Sequence, residues 1–316
     1  MKGTVYKSTG SWYFVKSLNG TFYNCRIKGK FRIEGIKSTN PVAVGDHVLF
    51  EVETKGDETI GIIYEIEPRE NYIIRKSVNL SKQTHIIAAN IDIAFLLVTL
   101  QHPVTFPTFI DRFLVTAEAY DIESVLLFNK IDAYDEETLL EAKYLAALYR
   151  SIGYTCIGIS AKTGAHIEKV KQLMEGKVCL FSGHSGVGKS TLINQLDPHL
   201  DLKTSEISEQ HLQGQHTTTF AEMYDLPFDA KIIDTPGIKG FGVVAMEKEE
   251  LGDYFPEFFA LKSECKFHNC LHLQEPQCAV KDALGNNEIA WSRYKSYLQM
   301  MEGEEDTYRK DTYGNE

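Results

Sequence analysis

Short stretches of alternating hydrophobic and polar residues follow one another over the first 70 positions of the chain, separated by glycine-containing turns. Alternation with a period of two is the pattern of a strand that buries one face. Five such segments are "GSWYFVKS", "GTFYNCRIKG", "KFRIEG", "GDHVLFEVE" and "TIGIIYEIEP". Several short strands with close turns predict a small β-barrel of the OB type over residues 1–70, with Pro68 closing the segment.

Beyond residue 70 the pattern changes to apolar strands that alternate with amphipathic helices. The predicted strands are "DIAFLLVT", "SVLLFNK", "TCIGIS", "KVCLFSG", "FAEMYDLP" and "AKIIDTPG", and the clearest helices are "PTFIDRFLVTAEAY" and "DEETLLEAKYLAALYRSIG". This alternation predicts βαβ units in a mostly parallel sheet over residues 71–245. The last two strands are expected to form a hairpin through a short turn at residues 227–229.

The sequence pattern changes again over residues 246–316. Acidic helical stretches flank a group of cysteine and histidine residues there, and a polar tail follows. The chain is therefore predicted to be multidomain. We expect an N-terminal OB-type β-barrel (1–70), a central α/β domain (71–245) and a C-terminal helical domain (246–316).

Composition and charge limit the partners of this chain. It is 43% hydrophobic and 24% charged, as in ordinary globular proteins, and no apolar run approaches the roughly 18 residues of a membrane span. The N-terminus lacks the apolar core of a signal peptide, so we expect a cytoplasmic protein without a membrane partner. The net charge of −11 argues against non-specific binding along nucleic acid.

The charge is unevenly distributed, because residues 1–80 carry a net charge of +3 and the remainder −14. The N-terminal segment also holds aromatic and basic residues that together are typical of a nucleic-acid-binding face. These residues are Trp12, Tyr13, Phe14, Phe22, Tyr23, Arg26, Lys28, Lys30 and Arg32. The alternative is that the aromatic residues form the barrel core and the basic residues lie on solvated turns.

A phosphate-binding loop is indicated by "SGHSGVGKST", which contains the pattern G-x-x-x-x-G-K-S between a predicted strand and a predicted helix. Backbone N–H groups of such a loop surround a β-phosphate, Lys189 reaches the β/γ oxygens, and Ser190 is a Mg²⁺ ligand. The predicted nucleotide-binding residues here are Ser182, Gly183, His184, Ser185, Gly186, Val187, Gly188, Lys189, Ser190 and Thr191.

Two further motifs fit the phosphate end of such a site. "DTPG" ends a predicted strand and supplies Asp234 toward Mg²⁺ and the N–H of Gly237 toward a γ-phosphate. Between the two motifs, "GQHTTTF" offers Thr217, Thr218 and Thr219 as ligands for Mg²⁺ and the γ-phosphate. Threonines before a strand are also simply good strand formers, which is the alternative.

Two motifs, "NKID" and "SAK", are predicted to bind the base of the nucleotide, and each lies at the end of a predicted strand. An ionised Asp132 only accepts hydrogen bonds, and guanine offers N1–H and N2–H₂ side by side, whereas adenine does not. A backbone N–H of "SAK" is expected to face guanine O6. The predicted guanine-binding residues are Asn129, Lys130, Ile131, Asp132, Ser160, Ala161 and Lys162.

These five elements stand in an unusual order. A common GTPase runs from the phosphate loop through the switch threonine and DxxG to NKxD and SAK, whereas this chain begins with "NKID" and "SAK". The order is a cyclic rotation, which a fold tolerates when its original termini lie close together at the surface. The central domain is therefore predicted to be a circularly permuted P-loop GTPase domain.

The cysteine and histidine group reads "CKFHNCLHLQEPQC" and contains the pattern C-x₄-C-x-H-x₅-C. Three cysteines and one histidine suit a tetrahedral Zn²⁺ ion, and four protein ligands leave no open position, so the metal would be structural. The ligands are Cys265, Cys270, Cys278 and either His272 or His268. Reduced cysteines in a loop without metal are the alternative.

Together, "NKID", "SAK", "SGHSGVGKSTLIN", "HTTT", "DTPG" and the cysteine group resemble the family of ribosome small-subunit-dependent GTPase A, bacterial ribosome-assembly factors. The resemblance implies GTP hydrolysis stimulated by the small (30S) ribosomal subunit, contact with 16S rRNA, and a role late in 30S assembly. It implies Mg²⁺ with GTP and one structural Zn²⁺ per chain, with His272 as the fourth ligand. We also expect a monomer.

No catalytic residue is predicted. Many GTPases place a water-positioning glutamine directly after DxxG, but this chain has the apolar Ile238 there. Some relatives are thought to use a histidine shortly after that motif, and residues 238–246 contain none. His184 and His216 are nearby but are more simply explained as loop-positioning residues. The alternatives to a GTPase are a GTP-gated RNA- or protein-binding module and, less simply, a P-loop kinase.

Overall fold

The computed structural model of the chain describes residues 1–28, 41–55, 58–76, 84–200, 221–234 and 246–303. The strands are β1 (Lys2–Ser8), β2 (Tyr13–Ser17), β3 (Phe22–Ile27), β4 (His47–Lys55), β5 (Glu58–Ile66), β6 (Tyr72–Lys76), β7 (Thr84–Ala89), β8 (Ile93–Val98), β9 (Glu123–Phe128), β10 (Thr155–Gly158), β11 (Val178–Ser182), β12 (Glu222–Leu226) and β13 (Ala230–Asp234). The helices are α1 (Pro107–Ala119), α2 (Glu136–Ile152), α3 (Ile167–Met174), α4 (Lys189–Leu196), α5 (Pro256–Leu261), α6 (Ala279–Gly285) and α7 (Trp291–Glu302).

The first five strands form a barrel. They hydrogen-bond in the order β1-β2-β3-β5-β4, and β4 also pairs with β1, which closes the ring. The strand β3 runs parallel to β5 and the other pairs are antiparallel. Val5, Val15, Val48 and Phe50 are buried inside it. This arrangement confirms the predicted OB-type barrel, although the segment "KFRIEG" lies outside the described residues.

One barrel strand was not predicted. The inward positions of β1 include Gly3, Val5 and Ser8, so its buried face is small and partly polar. Its pairing with β2 also shifts between Val5 and Lys7, which marks a β-bulge at Tyr6. Without regular hydrophobic alternation, the sequence carries no strand signal there.

The central sheet continues from the barrel, because β1 pairs with β12. Its order is β10-β9-β8-β11-β13-β12, and all neighbours are parallel except the β12–β13 hairpin, which turns at residues 227–229 as predicted. All six residues of β8 are buried, as expected for a parallel strand covered on both faces. The short hairpin β6–β7 and the helix α3 were not predicted.

Helices cover both faces of this sheet. Leu96 and Leu126 pack with α1 and α2 on one face, while Phe95 packs with α3 and α4 on the other. The helix α2 begins where the Asp135 side chain accepts a hydrogen bond from the Thr138 N–H, and it ends at Gly153 in the left-handed conformation. Within the described ranges, no helix is both long and apolar enough to cross a membrane.

The C-terminal helices pack on the outer side of α1. Arg293 of α7 is fully buried and donates hydrogen bonds to Asp111 of α1 at 2.7 Å and to Glu257 of α5 at 2.7 Å. Its guanidinium also lies 4.6 Å from the centre of the Phe255 ring. A buried charge needs such partners, since an unpaired one is strongly unfavourable.

We expect Arg293→Ala to lower the free energy of unfolding by about 3–5 kcal/mol, because the substitution leaves Asp111 buried without its cationic partner. Urea unfolding monitored by circular dichroism measures this change. Lys295→Ala, on the exposed side of the same helix, is the matched control and should alter the free energy by less than about 0.5 kcal/mol. Equal effects of the two substitutions would contradict the assigned role.

Candidate functional site

Four of the predicted motifs meet at one edge of the central sheet. "NKID" follows β9, "SAK" follows β10, the phosphate loop follows β11, and Asp234 is the last residue of β13. These four strands are parallel, so their carboxyl ends lie on the same side. An open α/β sheet binds its ligand at this edge, next to the point where the chain crosses from β10 to β11 on the far side of β8.

The phosphate loop is shaped by glycines and one lysine. Gly183 and Gly188 have φ angles of +143° and +100°, a region that residues with a Cβ atom rarely adopt. A Cβ atom on Gly188 would also lie 2.5 Å from the side-chain nitrogen of Asn129. Lys189 Nζ donates hydrogen bonds to the carbonyls of Gly183 at 2.7 Å and His184 at 3.3 Å, which holds the loop around it. Burial lowers the pKa of the Lys189 ammonium, and the nearby Asp234 opposes this effect.

Asn129 joins three of the motifs. Its side chain is buried, its Nδ2 donates to the Val187 carbonyl at 2.7 Å, and its Oδ1 accepts from the Ala161 N–H at 2.9 Å. The first bond reaches the phosphate loop and the second reaches "SAK". The position of "NKID" is therefore fixed relative to the phosphate loop and to "SAK".

The lysine of "NKID" supports the same arrangement. Lys130 Nζ donates to the Gly186 carbonyl at 2.8 Å and to the His102 carbonyl at 2.5 Å. Burial lowers the pKa of Lys130, with Asp132 opposing the shift. The hydroxyl of Tyr134 donates to the Asn129 carbonyl at 2.7 Å and accepts from the Leu100 N–H at 2.9 Å. Tyr134 was missed in the sequence, because a tyrosine after the motif carries no distinguishing pattern.

The remaining predicted nucleotide-binding residues differ in how far they are exposed to solvent. Asp132, Lys162, Ser185 and Gly186 are exposed at the sheet edge, and Ser160 is buried with its Oγ accepting from the Thr163 N–H at 3.0 Å. Partly buried positions are held by Ile131, Lys189, Ser190, Thr191 and Asp234. The predicted ligands Thr217, Thr218 and Gly237, together with His216 and Ile238, lie outside the described residues.

His184 of the phosphate loop stacks on Phe109 of α1, with ring centres 3.9 Å apart and planes 29° apart. Burial lowers the pKa of His184, and the positive charge of Lys189 lowers it further. A neutral ring packed on phenylalanine supports the interpretation of His184 as a loop-positioning residue.

The predicted metal ligands are brought together in the C-terminal region. The ligand atoms of Cys265, Cys270, His272 and Cys278 all lie within 4.8 Å of one another, which makes a group that could hold a metal ion. His272 Nδ1 is 3.4 Å from Cys278 Sγ and 3.7 Å from Cys265 Sγ. His268 is exposed and outside this group, so the structure favours His272 as the histidine ligand.

Residues that were not predicted hold the loop around His272. The Glu275 carboxylate accepts hydrogen bonds from the N–H groups of Leu271 at 2.9 Å and Leu273 at 2.8 Å, one on either side of His272. Burial opposes ionisation of Glu275, but these hydrogen bonds hold its pKa below the ordinary value. The Tyr294 hydroxyl donates to the His272 carbonyl at 2.6 Å. His272 has a φ of +56°, an uncommon conformation for a residue with a side chain.

Comparisons with known proteins agree with these motifs. A sequence model of the family described as RsgA GTPase matches residues 66–244, and one described as RsgA N-terminal domain matches residues 2–63. The chain is 72% identical over 313 residues to the small ribosomal subunit biogenesis GTPase RsgA of Christiangramia forsetii, with 99% of each sequence covered. It is 55% identical over 313 residues to the protein of the same name from Bacteroides fragilis, covering 99% of this chain and 100% of that one.

Two solved structures are similar over nearly the whole chain. YjeQ from Thermotoga maritima has a TM-score of 0.75 and 34% sequence identity, covering 96% of this chain and 97% of that one. YloQ, described as a circularly permuted GTPase, has a TM-score of 0.73 and 29% identity, covering 100% and 96%. These similarities confirm the predicted permuted fold class.

If the Cys₃His group holds a metal ion, we expect Glu275→Gln to weaken its affinity for added Zn²⁺ by about tenfold or more, because an amide cannot accept hydrogen bonds through both of its terminal atoms. Competition with a chromophoric chelator measures the affinity without reference to any enzymatic activity. Glu288→Gln, at an exposed position in the same region, is the control and should leave the affinity unchanged. An unchanged affinity in Glu275→Gln would show that the loop keeps its shape without the carboxylate.

Proposed function

The chain belongs to the RsgA GTPase family, and from that premise we propose that it hydrolyses GTP to GDP and phosphate as a switch in late assembly of the small ribosomal subunit. The observation that carries the proposal is the Asn129 side chain, which ties the guanine-type motif to the phosphate loop through Val187 and to "SAK" through Ala161. A site that recognises the base and the phosphates together is what a guanine nucleotide requires. The names of the similar proteins support the small ribosomal subunit as partner.

For the nucleotide, we propose that Asp132 accepts hydrogen bonds from guanine and that the loop from Gly183 to Ser190 surrounds the phosphates. Ser190 and Asp234 are the described residues that would hold Mg²⁺, and both lie at the same sheet edge as the loop. The ion would neutralise charge on the β- and γ-phosphates. The threonines and Gly237 complete the proposed set from outside the described residues.

For the partner, we propose that the barrel contacts 16S rRNA. Phe22 and Phe14 on its outer face are 52% and 39% exposed, so aromatic rings are available for stacking. Arg26 lies 3.8 Å above the centre of the Trp12 ring, which keeps a cation on the same region. Tyr13, by contrast, is buried and belongs to the barrel core. We further propose a cytoplasmic monomer with domains at 1–70, 71–245 and 246–316.

For the Cys₃His group, we propose one structural Zn²⁺ ion. Tetrahedral ligands at about 2.3 Å for sulfur and about 2.0 Å for nitrogen would place neighbouring ligand atoms about 3.5 Å apart. The two measured separations from His272 Nδ1, 3.4 and 3.7 Å, support that fit. All four ligands come from the protein, so the ion would hold the fold of this region rather than act on GTP.

The hydrolysis step is proposed to depend on the partner. Ile238 follows the "DTPG" motif where a water-positioning glutamine often stands, and an aliphatic side chain cannot orient water. Slow turnover by the chain alone is therefore expected. The same feature favours a second candidate function, a GTP-gated binding module with negligible turnover even when its partner is present.

Phosphate release from GTP, measured with and without purified small ribosomal subunits, tests the function. We expect slow release by the chain alone and at least a tenfold increase with small subunits, within the roughly 10⁵-fold range that partner-activated GTPases reach. Large ribosomal subunits at the same concentration are the control. No increase with small subunits would reject the first function in favour of the binding module.

Asp132→Asn is expected to exchange guanine for xanthine specificity. Asparagine still accepts from N1–H but offers its NH₂ group to position 2, where guanine has an amino group and xanthine a carbonyl oxygen. We expect GTP affinity to fall by about a hundredfold or more and xanthosine triphosphate affinity to rise, as measured by titration calorimetry. Glu137→Gln on the exposed surface of α2 is the control. Unchanged GTP affinity in Asp132→Asn would refute the proposed contact.

A further inference from the structure

Side-chain contacts add to the backbone pairing that joins the barrel to the β12–β13 hairpin. Lys7 is the residue of β1 that pairs with Glu222 of β12, and its Nζ also forms an ion pair with that carboxylate at 2.8 Å. Next to it, the Tyr6 hydroxyl donates a hydrogen bond to Asp225 of β12 at 2.6 Å. Lys7 and Tyr6 therefore bind two different carboxylates of the same neighbouring strand.

Asp225 is the point where the two regions converge. One of its oxygens accepts from Tyr6, and the other forms an ion pair with Lys16 of β2 at 2.5 Å. Burial alone would raise the pKa of Asp225, but the hydrogen bonds from Lys16 and Tyr6 keep it below its ordinary value. The carboxylate therefore stays charged and bound to the barrel under ordinary conditions.

The same side chains also contact the outer face of the barrel. The Tyr6 and Phe22 rings pack edge to face with centres 5.2 Å apart, and Lys16 Nζ lies 5.4 Å and 5.6 Å from these two ring centres. Phe22 is half exposed, whereas Tyr6 is 5% exposed and belongs to the hydrophobic core of the central sheet. A molecule stacked on Phe22 would thus contact a ring that packs against Tyr6 and Lys16. These are the two residues that bind Asp225.

In the sequence, the hairpin that carries Asp225 lies directly between "HTTT" and "DTPG", the two motifs proposed to contact the γ-phosphate. Glu222 comes three residues after Thr219 in the sequence, and it pairs with Asp234, the first residue of "DTPG". Any rearrangement of these motifs between the GTP and GDP states would act on the open end of this hairpin, where Glu222 and Asp234 pair. The barrel is attached along the other edge of the same hairpin.

We propose that the cluster of Tyr6, Lys16, Phe22 and Asp225 couples the RNA-facing surface of the barrel to the nucleotide state of the GTP site. This inference rests on the proposed function and names a route for its regulation. By thermodynamic reciprocity, a partner bound at Phe22 and Lys16 that changes the affinity for GTP relative to GDP has its own affinity changed by the same factor when GTP replaces GDP. Tyr6 and Asp225 are positioning residues in this scheme, since neither lies at the sheet edge that receives the nucleotide.

Hydrogen exchange of the full chain tests the coupling without ribosomal subunits. In the wild type, we expect exchange of the backbone amides of residues 2–17 to differ about fivefold or more between the states bound to GDP and to a non-hydrolysable GTP analogue. In Tyr6→Phe, which removes only the hydroxyl, we expect this difference to fall below about twofold. Asp225→Ala, which removes the acceptor of both Tyr6 and Lys16, should give at least the same loss, and adding Tyr6→Phe to it should change little, because the hydroxyl then has no carboxylate to bind.

Tyr144→Phe, at an exposed tyrosine of α2, is the matched control and should keep the full nucleotide-dependent difference. A purely structural role would change exchange equally in both nucleotide states and leave the ratio intact. An unchanged ratio in Tyr6→Phe, or equal exchange of residues 2–17 in the two states of the wild type, would overturn the proposal. Phosphate release with small subunits is measured on the same preparations, so absence of stimulation in the wild type rejects the proposed function separately.

Discussion

The rest of the site depends on the two hydrogen bonds that the buried side-chain amide of Asn129 makes. A buried amide needs hydrogen-bond partners, and here its two ends take one from the phosphate loop and one from "SAK". Gly188 is necessary for this approach, because a Cβ atom at that position would collide with the amide. Lys130 adds a hydrogen bond to the Gly186 carbonyl of the phosphate loop, and the Tyr134 hydroxyl binds the backbone carbonyl of Asn129. The cyclic rotation of the motifs along the chain leaves this arrangement intact, since it depends on which strands end at the same edge of the sheet and not on their order along the chain.

The two outer regions are attached to the central sheet by different physical means. The C-terminal helices are joined through the buried charge of Arg293, whose cost of burial is offset by Asp111 and Glu257. The barrel is joined through a continuation of the sheet and through a partly exposed cluster centred on Asp225. Partly exposed hydrogen bonds and ion pairs are weaker and easier to rearrange than buried ones. The barrel junction is therefore better suited to respond to the nucleotide than the helical junction.

Much of the fold was predictable because its signals are local. The strands "DIAFLLVT" and "SVLLFNK" are long apolar runs, and the helix at residues 136–152 has an Asp135 cap and a terminal Gly153, so each was found within a few residues. The strand β1 was missed because its buried face is made of Gly3, Val5 and Ser8 and is interrupted by a bulge. A bulge is stabilised by the neighbouring strand, and a single sequence contains no record of that neighbour.

The sequence by itself determined the chemistry: the spacing of glycines and Lys189, the acceptor-only carboxylate of Asp132, and a Cys₃His group, because these properties belong to the residues themselves. Composition alone did not decide whether His268 or His272 is the fourth ligand. It also did not decide whether the aromatic residues of the barrel lie in its core or on its surface. Tertiary structure decided both, placing His272 beside the cysteines, Tyr13 inside the barrel and Phe22 outside. It alone revealed the contact of Glu275 with the backbone on both sides of His272 and the contact of Asp225 with Tyr6. Such contacts join residues whose identities are ordinary, and only the packing of distant segments brings them within hydrogen-bonding distance.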